Sequence, residues 1–159
     1  MGYFFSPYQM AEMAMQVEEA GIEFYKKASE FSKKEKIKKI FLFLSGAEIV
    51  HRTIFKTIME TEQGNDSTDE YSVDIASIMR NLIEKCEKIV FDLQSVEESS
   101  LTVAKCLDVG IHVESGLIGA YSKLHETFID KFHSVLEKIV GQEKTHLEML
   151  RNVKKQLEL

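Results

Sequence analysis

The stretch that decides the fold runs from residue 37 to residue 58, IKKIFLFLSGAEIVHRTIFKTI. Followed in alternating steps of four and three residues, it is apolar at every position except Glu48 and His51, near its middle. A stripe with this period predicts an amphipathic helix whose apolar face is buried. Because Glu48 and His51 lie one turn apart on that face, the stretch predicts a buried helix with a polar site about halfway along it.

Three other segments carry the same kind of apolar stripe. Their stripes are interrupted near the middle by Glu18, by Glu114, and by Glu143 together with His146. The periodicity predicts four long helices, at residues 8–31, 35–62, 101–128 and 131–157. Four amphipathic helices of this length can enclose one shared core.

The connections between these helices predict the topology. Short turns after the first and third helices produce antiparallel hairpins, whereas the long middle connection can cross the full length of a bundle. It begins with a loop at 64–69 and contains one or two weaker helical pieces within 73–93. The predicted segments are a first hairpin at about 8–62, a connection at about 63–100 and a second hairpin at about 101–157. We therefore predict a single all-α domain over 1–159, a ferritin-like four-helix bundle with a long crossover between helices 2 and 3.

The two predicted hairpins repeat each other. Four pairs of residues correspond at an offset of 95 or 96 positions: Glu18 with Glu114, Tyr25 with Tyr121, Glu48 with Glu143, and His51 with His146. This correspondence indicates an internal duplication of a helical hairpin.

The spacing also predicts the height of these residues along the bundle. Residues at one level of a hairpin lie about equally far from its turn, and the midpoint of Glu18 and Glu48 is residue 33, in a charged break between helices. The midpoint of the second hairpin's pair falls between Phe128 and Ile129, near the predicted end of the third helix. Four glutamates and two histidines are therefore expected to meet at mid-bundle.

Four carboxylates in an apolar interior require compensating charge. The four stripes contain no Lys or Arg, and a buried carboxylate without a partner costs on the order of several kcal/mol. Two divalent cations supply the necessary charge, and oxygen ligands with one imidazole per metal favour iron or manganese over structural zinc. We predict two iron ions, with manganese or a mixed pair as the alternative, bound by Glu18, Glu48, His51, Glu114, Glu143 and His146.

The sequence around these residues resembles the rubrerythrin-like branch of the ferritin-like superfamily. The resemblance spans about residues 9–155 and rests on four motifs in order, EEAGIEFY at 18–25, EIVH at 48–51, VE at 113–114 and EKTH at 143–146. It implies that Glu48 and Glu143 bridge the metals, that Glu18 and Glu114 are terminal ligands, and that His51 and His146 each bind one metal. It also implies reduction of peroxide.

Two features depart from the family pattern. Leu117 stands where rubrerythrins often have a further Glu, three residues after the third-helix ligand. The chain also lacks the four cysteines of a rubredoxin iron site, since it contains only Cys86 and Cys106. Electrons are therefore expected to come from a separate donor protein such as a rubredoxin.

The expected function is a di-iron oxidoreductase that reduces peroxide or dioxygen with electrons from an external donor. One alternative is a ferroxidase or iron-handling protein, for which a large cage is expected rather than a monomer or homodimer. The other is a helical interaction module whose metals are structural, because a fold resemblance does not settle activity.

Composition excludes several other classes. The formal net charge of −6 and the pI of about 5.4 argue against a nucleic-acid partner. The two cysteines are too few for a disulfide framework. No apolar run approaches the roughly 20 residues of a membrane span, and the first residues lack the features of a signal peptide. We therefore expect a cytoplasmic protein without a membrane partner.

Some residues leave two interpretations open. Tyr25 and Tyr121 fit buried core aromatics, which their spacing favours, but each could also hydrogen-bond a ligand carboxylate or carry a radical. His125 fits a partly exposed histidine better than a proton relay. Gly46 and Gly141, each two residues before a Glu-x-x-His motif, indicate either space beside the metals or ordinary helix packing.

Overall fold

A computed structural model describes residues 6–64, 73–95, 100–127 and 132–159. These residues form five α-helices and no strand, which confirms the all-α prediction. The helices are α1 (Pro7–Phe31), α2 (Glu35–Thr61), α3 (Val73–Ser95), α4 (Ser100–Thr127) and α5 (His133–Gln156). The four predicted long helices correspond to α1, α2, α4 and α5.

The start of α1 follows from its capping residues. Ser6 Oγ accepts a hydrogen bond from the Gln9 N–H at 3.2 Å, and Gln9 Oε1 accepts one from the Ser6 N–H at 2.9 Å. Pro7 occupies the first helical position, where its missing N–H costs nothing. This capping box satisfies two N–H groups that otherwise lack partners at the start of a helix.

The helices pack as two hairpins, α1 with α2 and α4 with α5, as the sequence predicts. At one end of the bundle, an apolar cavity of about 20 Å³ is lined by residues of four helices, among them Pro7, Phe55, Leu124 and Leu136. At the opposite end, Lys36 Nζ donates to Gln156 Oε1 at 3.0 Å. Since α2 and α4 both end near the cavity, they run parallel, as the long crossover requires.

The middle connection differs from its prediction. One or two weak helical pieces are expected within 73–93, whereas the structure contains the single 23-residue helix α3, which packs against both α1 and α4. Its buried side chains follow one continuous stripe: Ile75, Met79, Leu82, Cys86, Ile89 and Leu93. This stripe has the helical period of the other four helices, so the sequence of the segment is compatible with one continuous helix.

Gly64 begins the predicted loop at 64–69 with a left-handed φ of 82°, a conformation that glycine adopts without strain. The remainder of that loop and the predicted turn at Phe128–Ile129 lie outside the described residues. Across the described ranges, none of the helices has a long enough apolar stretch to cross a membrane.

Candidate metal centre

The six predicted ligands lie together inside the bundle. Their side chains come from α1, α2, α4 and α5, and each residue is at most 4% exposed: Glu18, Glu48, His51, Glu114, Glu143 and His146. They form two sets of four whose ligand atoms all lie within 4.8 Å of one another. Glu48 and Glu143 belong to both sets, so the two sets share a pair of carboxylates.

Both imidazoles present Nδ1 to the cluster. His51 Nδ1 lies 3.1 Å from Glu48 Oε2 and 3.1 Å from Glu143 Oε1. His146 Nδ1 lies 2.9 Å from Glu143 Oε2 and 3.7 Å from Glu114 Oε2. The two rings are stacked with their centroids 5.8 Å apart. The Glu-x-x-His spacing therefore brings one imidazole of each hairpin to the shared carboxylates, because residues three apart lie on one helix face.

The carboxylates retain unused acceptor capacity. One buried oxygen of each glutamate has no hydrogen-bond partner: Glu18 Oε2, Glu48 Oε1, Glu114 Oε2 and Glu143 Oε1. No lysine or arginine is buried among the described residues, so no side-chain cation of that kind neutralises the cluster. Four inward carboxylate oxygens beside two imidazole nitrogens are the donor set that hard or borderline divalent metals bind. The cluster thus fits metal ions.

Burial and mutual repulsion raise the pKa of three of the four carboxylates, whereas the two neighbouring histidines outweigh burial and lower the pKa of Glu143 to about 2. Burial, followed by the charge of Glu143, raises the pKa of Glu48 to about 8. Burial likewise raises the pKa of Glu114 to about 8, against the opposing hydrogen bond from His146. Burial and the charge of Glu48 raise the pKa of Glu18 well above its usual value. In the absence of metal, protons therefore partly replace the positive charge that the cluster lacks.

Burial and the neighbouring carboxylates shift the pKa values of the two histidines in opposite directions. Burial alone would lower the pKa of His51, but the carboxylates of Glu143 and Glu48, each 3.1 Å from its Nδ1, raise it to about 12. For His146, the neighbouring carboxylates of Glu114 and Glu143 outweigh burial and raise the pKa to about 9. Both imidazoles thus carry a proton at neutral pH until a cation displaces it.

Each of the two tyrosines reaches a glutamate of the opposite hairpin. The Tyr25 hydroxyl on α1 donates to Glu114 Oε1 on α4, and the Tyr121 hydroxyl on α4 donates to Glu18 Oε1 on α1. Both tyrosines are fully buried. The hydrogen bonds favour the interpretation in which these tyrosines serve the cluster, although the spacing alone favours core aromatics.

The cluster borders a surface groove between α2 and α5. The groove has a volume of about 500 Å³ and is lined by His51 and His146 together with apolar residues such as Phe43 and Val50. At its wall, Gln142 Oε1 lies 2.9 Å from His51 Nε2, the ring nitrogen that faces away from the carboxylates. A bond to this outer nitrogen fixes the orientation and tautomer of the ring.

The family of the chain follows from comparison with known proteins. The model of the rubrerythrin family matches residues 10–154. The chain belongs to the rubrerythrin family. A solved structure from Thermotoga maritima, described as a ferritin-like diiron-carboxylate protein, is similar over 98% of each chain, with 26% identity and a TM-score of 0.73. Comparison with curated proteins finds no match. The predicted family resemblance and ferritin-like fold are confirmed.

Leu117 occupies the position at which the family resemblance led us to expect a further Glu. Its side chain is buried in the core at 1% exposure, where a carboxylate would require a partner. At an offset of 96 residues its counterpart is Gly21, where an added Cβ would lie 3.4 Å from Glu48 Cγ. The two positions therefore hold a large side chain in one hairpin and a glycine in contact distance of a glutamate in the other.

The structure also shows the surroundings of Gly46, Gly141 and His125, for which the sequence leaves two interpretations open. An added Cβ at Gly46 or Gly141 would meet nothing within 4 Å, so neither glycine is required by a close contact of that kind. Gly46 does line the groove beside His51, as the interpretation of space near the metals expects. His125 is partly buried and stacks on His133, and neither belongs to the six-residue cluster.

Sequence reasoning missed Gln142 in this rubrerythrin-family chain. Gln142 is exposed and lies off the apolar stripe of α5, so periodicity does not distinguish it from other surface residues. Its only sequence signal is its position directly before Glu143. Gln142 matters because the outer ring nitrogen of His51 faces it, and this orientation is visible only in the three-dimensional structure.

Proposed function

We propose that this rubrerythrin-family protein is a di-iron oxidoreductase that reduces peroxide or dioxygen with electrons from a separate donor. The observation that supports it is the enclosed set of four unpartnered carboxylate oxygens beside two imidazoles. A structural zinc site would be closed, with Cys or more His ligands, whereas carboxylate oxygens with one imidazole per metal suit iron or manganese, two metals that can change oxidation state.

In this proposal, the two overlapping sets of ligands each hold one iron. Glu48 and Glu143 occur in both sets and would bridge the metals. Glu18 and His51 would complete one site, and Glu114 and His146 the other. The iron pair, when bound, supplies the redox electrons and the Lewis acidity that the side chains themselves lack.

The tyrosines are proposed to position the terminal carboxylates. Burial, and then the charge of the neighbouring glutamate, raises the pKa of both Tyr25 and Tyr121 well above its usual value. Each hydroxyl therefore keeps its proton at neutral pH and remains a donor to Glu114 or Glu18. With one oxygen held by a tyrosine, each carboxylate directs its free oxygen into the cluster.

The groove between α2 and α5 is proposed to admit the oxidant. His51 and His146 form part of its lining, so a small molecule that enters it comes beside the ligand cluster. On the opposite side, α3 packs against α1 and α4. Access from one side keeps bulk water away from most of the buried carboxylates, which strengthens the electrostatic interactions among them.

The electron donor is proposed to be a separate protein such as a rubredoxin, and the location to be the cytoplasm. Reduction of one peroxide to two waters consumes two electrons and two protons, so each turnover needs an external reductant. Cys86 and Cys106 are free and buried, and burial raises the pKa of each thiol to about 12. Unreactive thiols of this kind are compatible with a reducing compartment. We further propose a monomer or homodimer rather than a cage.

The decisive experiment measures oxidant consumption by the iron-loaded protein. Reduced protein is mixed with hydrogen peroxide or with dioxygen in the presence of reduced rubredoxin, and oxidation of the donor is followed by absorbance. We expect turnover that disappears in the double variant E48A/E143A. Wild-type protein that contains iron but consumes neither oxidant faster than this variant would refute the proposal. Size-exclusion chromatography tests the assembly state separately.

The tyrosines provide a finer test. Tyr25→Phe and Tyr121→Phe are expected to retain iron and to lower the turnover rate by about tenfold, because each leaves one terminal carboxylate without its donor. Tyr8→Phe, on the same helix as Tyr25 and outside the cluster, is the control. Unchanged turnover in both variants would leave the two tyrosines as packing residues only.

A further inference from the structure

A pair of histidines lies outside the candidate centre. His125 is in the last turn of α4 and His133 is the first residue of α5, so both belong to the end of the bundle where the second hairpin turns. Their rings are stacked, with centroids 3.7 Å apart and planes inclined by 28°. Neither residue is a member of the two ligand sets of the candidate centre.

Each ring of this pair contains a buried nitrogen without a hydrogen-bond partner. The atoms are His125 Nε2 and His133 Nδ1. Unpartnered buried nitrogens are unfavourable because desolvation is not repaid by a new hydrogen bond. Two of them on rings in direct contact indicate a shared ligand, in the same way that the unpartnered oxygens indicate one at the glutamate cluster.

The chemistry of the two nitrogens indicates which class of ligand they would bind. A neutral imidazole offers one lone pair, and it is the commonest protein ligand for late first-row transition metals. Both residues are only partly buried, so water can complete the coordination of an ion held there.

We propose that His125 and His133 bind one divalent late transition-metal ion, such as Cu²⁺, Ni²⁺ or Zn²⁺, through one nitrogen of each ring. The terminal torsion of a histidine side chain is broad, so the two rings can leave the stacked arrangement and turn their in-plane lone pairs toward one ion. The site is independent of the glutamate cluster, and it joins the end of α4 to the start of α5. This inference does not depend on the proposed oxidoreductase function.

Copper binding to the iron-loaded protein tests the site. Cu²⁺ is added to protein with its iron in place, and bound copper is measured by dialysis and by electron paramagnetic resonance. We expect one copper per chain with nitrogen hyperfine structure from two imidazoles. H125Q and H133Q are each expected to weaken this binding at least tenfold, because one remaining imidazole holds copper poorly.

Two controls separate this site from other copper binding. His112 is exposed on α4, and H112Q is expected to bind copper as tightly as wild type. H51Q alters the candidate centre and is expected to retain the two-imidazole copper signal whether or not that centre binds iron. The proposal is overturned if H125Q and H133Q bind copper as wild type does, if H112Q loses the same signal, or if wild type binds no copper with two nitrogen ligands.

Circular dichroism of each variant guards against loss of folding. The glutamine variants preserve polarity at partly exposed positions, so we expect unchanged helix content. As a second readout on the iron-loaded proteins, Zn²⁺ is expected to raise the Tm of wild type and H112Q but not of the double variant H125Q/H133Q. Equal Zn²⁺ shifts in all three proteins would also refute the site.

Discussion

The two hairpins agree on their inner faces and differ on their outer faces. Glu48 and His51 correspond to Glu143 and His146, and all four are buried in the cluster. Four outer pairs at the same offset of 95 residues differ in polarity: Leu42 with Glu137, Phe43 with Lys138, Ile49 with Lys144, and Val50 with Thr145. The α2 members of these pairs are apolar and 45–56% exposed.

This contrast shows which constraints the cluster imposes. Residues that face the carboxylates must match in both hairpins because each hairpin contributes half of the ligands. Residues that face outward are free of that requirement and have diverged. Gln142 lies where the matched inner face meets the divergent outer face. It hydrogen-bonds His51 from α5, whereas its counterpart Ala47 on α2 has no side chain that could hydrogen-bond His146.

The largest expected effect is the loss of bound metal when a shared carboxylate is removed. Glu48→Ala and Glu143→Ala should each reduce the iron content to less than half of the wild-type value, because each removes a ligand common to both sets. Elemental analysis after anaerobic purification measures this. Glu148→Ala, at an exposed position of α5, should retain wild-type iron. If only one of the two cluster variants lost iron, the hairpins would not contribute equally.

The next effect is a pH dependence that is largest in the metal-free protein. The pKa values of Glu48 and Glu114, about 8, and of His146, about 9, are all raised above those of the unfolded chain. Raised values stabilise the fold at low pH, and this stabilisation is lost as pH rises through the folded-state pKa. The Tm of the metal-free protein should therefore decrease as the pH is raised from about 5 to about 9.

Bound metal should reduce this pH dependence, and the two histidines should lose their protons at different pH values. Metal-loaded protein should show a smaller decrease in Tm, because metal rather than protons neutralises the cluster. In the metal-free state, NMR should detect loss of the His146 proton before that of His51, whose pKa is about 12. A Tm that increases over this range would contradict the protonated cluster, and simultaneous titration would remove the difference between the hairpins.

A smaller effect is expected when the hydrogen bond between Gln142 and His51 is removed. Gln142→Ala should weaken iron binding by about 10–100-fold, the usual cost of removing a partner of a metal-ligating histidine. Calorimetric titration with Fe²⁺ under anaerobic conditions measures it. Gln142→Glu, which can accept the same hydrogen bond, should recover much of the affinity. Equal affinity in wild type and Gln142→Ala would mean that packing alone orients His51.

The smallest effect concerns the local packing of α3 against α4 at one glycine. At Gly116 on α4, an added Cβ would lie 2.6 Å from Leu82 Cδ2. On the α1 side, Ala20, the counterpart of Gly116, lines an open cavity of about 620 Å³ that also reaches Phe91 on α3.

Two glycine substitutions on α4 test this packing. Gly116→Ala should lower the free energy of unfolding by about 1–3 kcal/mol through overpacking. Gly119→Ala, where nothing lies within 4 Å, should raise it by up to about 1 kcal/mol through helix propensity. Urea denaturation measures both variants. Destabilisation of similar size in the two variants would indicate that α3 does not press on Gly116.

The sequence was sufficient to predict the residues whose environment is fixed by periodicity. Glu18 and Glu114 stand out because they interrupt apolar stripes, and the repeat of Glu-x-x-His identifies the other half of the cluster. Helix α3 was predicted as one or two weaker pieces, although its apolar stripe is continuous from Ile75 to Leu93. The crossed contacts of the tyrosines, like that of Gln142, depend on the distance between helices, which periodicity along a single helix does not encode.

The crossed tyrosines have a consequence for the origin of the molecule. Tyr25 reaches across to Glu114, and Tyr121 reaches back to Glu18, so neither hairpin satisfies its own terminal glutamate. Two identical ancestral hairpins related by a twofold axis would form both bonds and all six ligand positions at once. Gene duplication and fusion would then have joined a working homodimer into one chain, after which the outward surfaces could evolve independently.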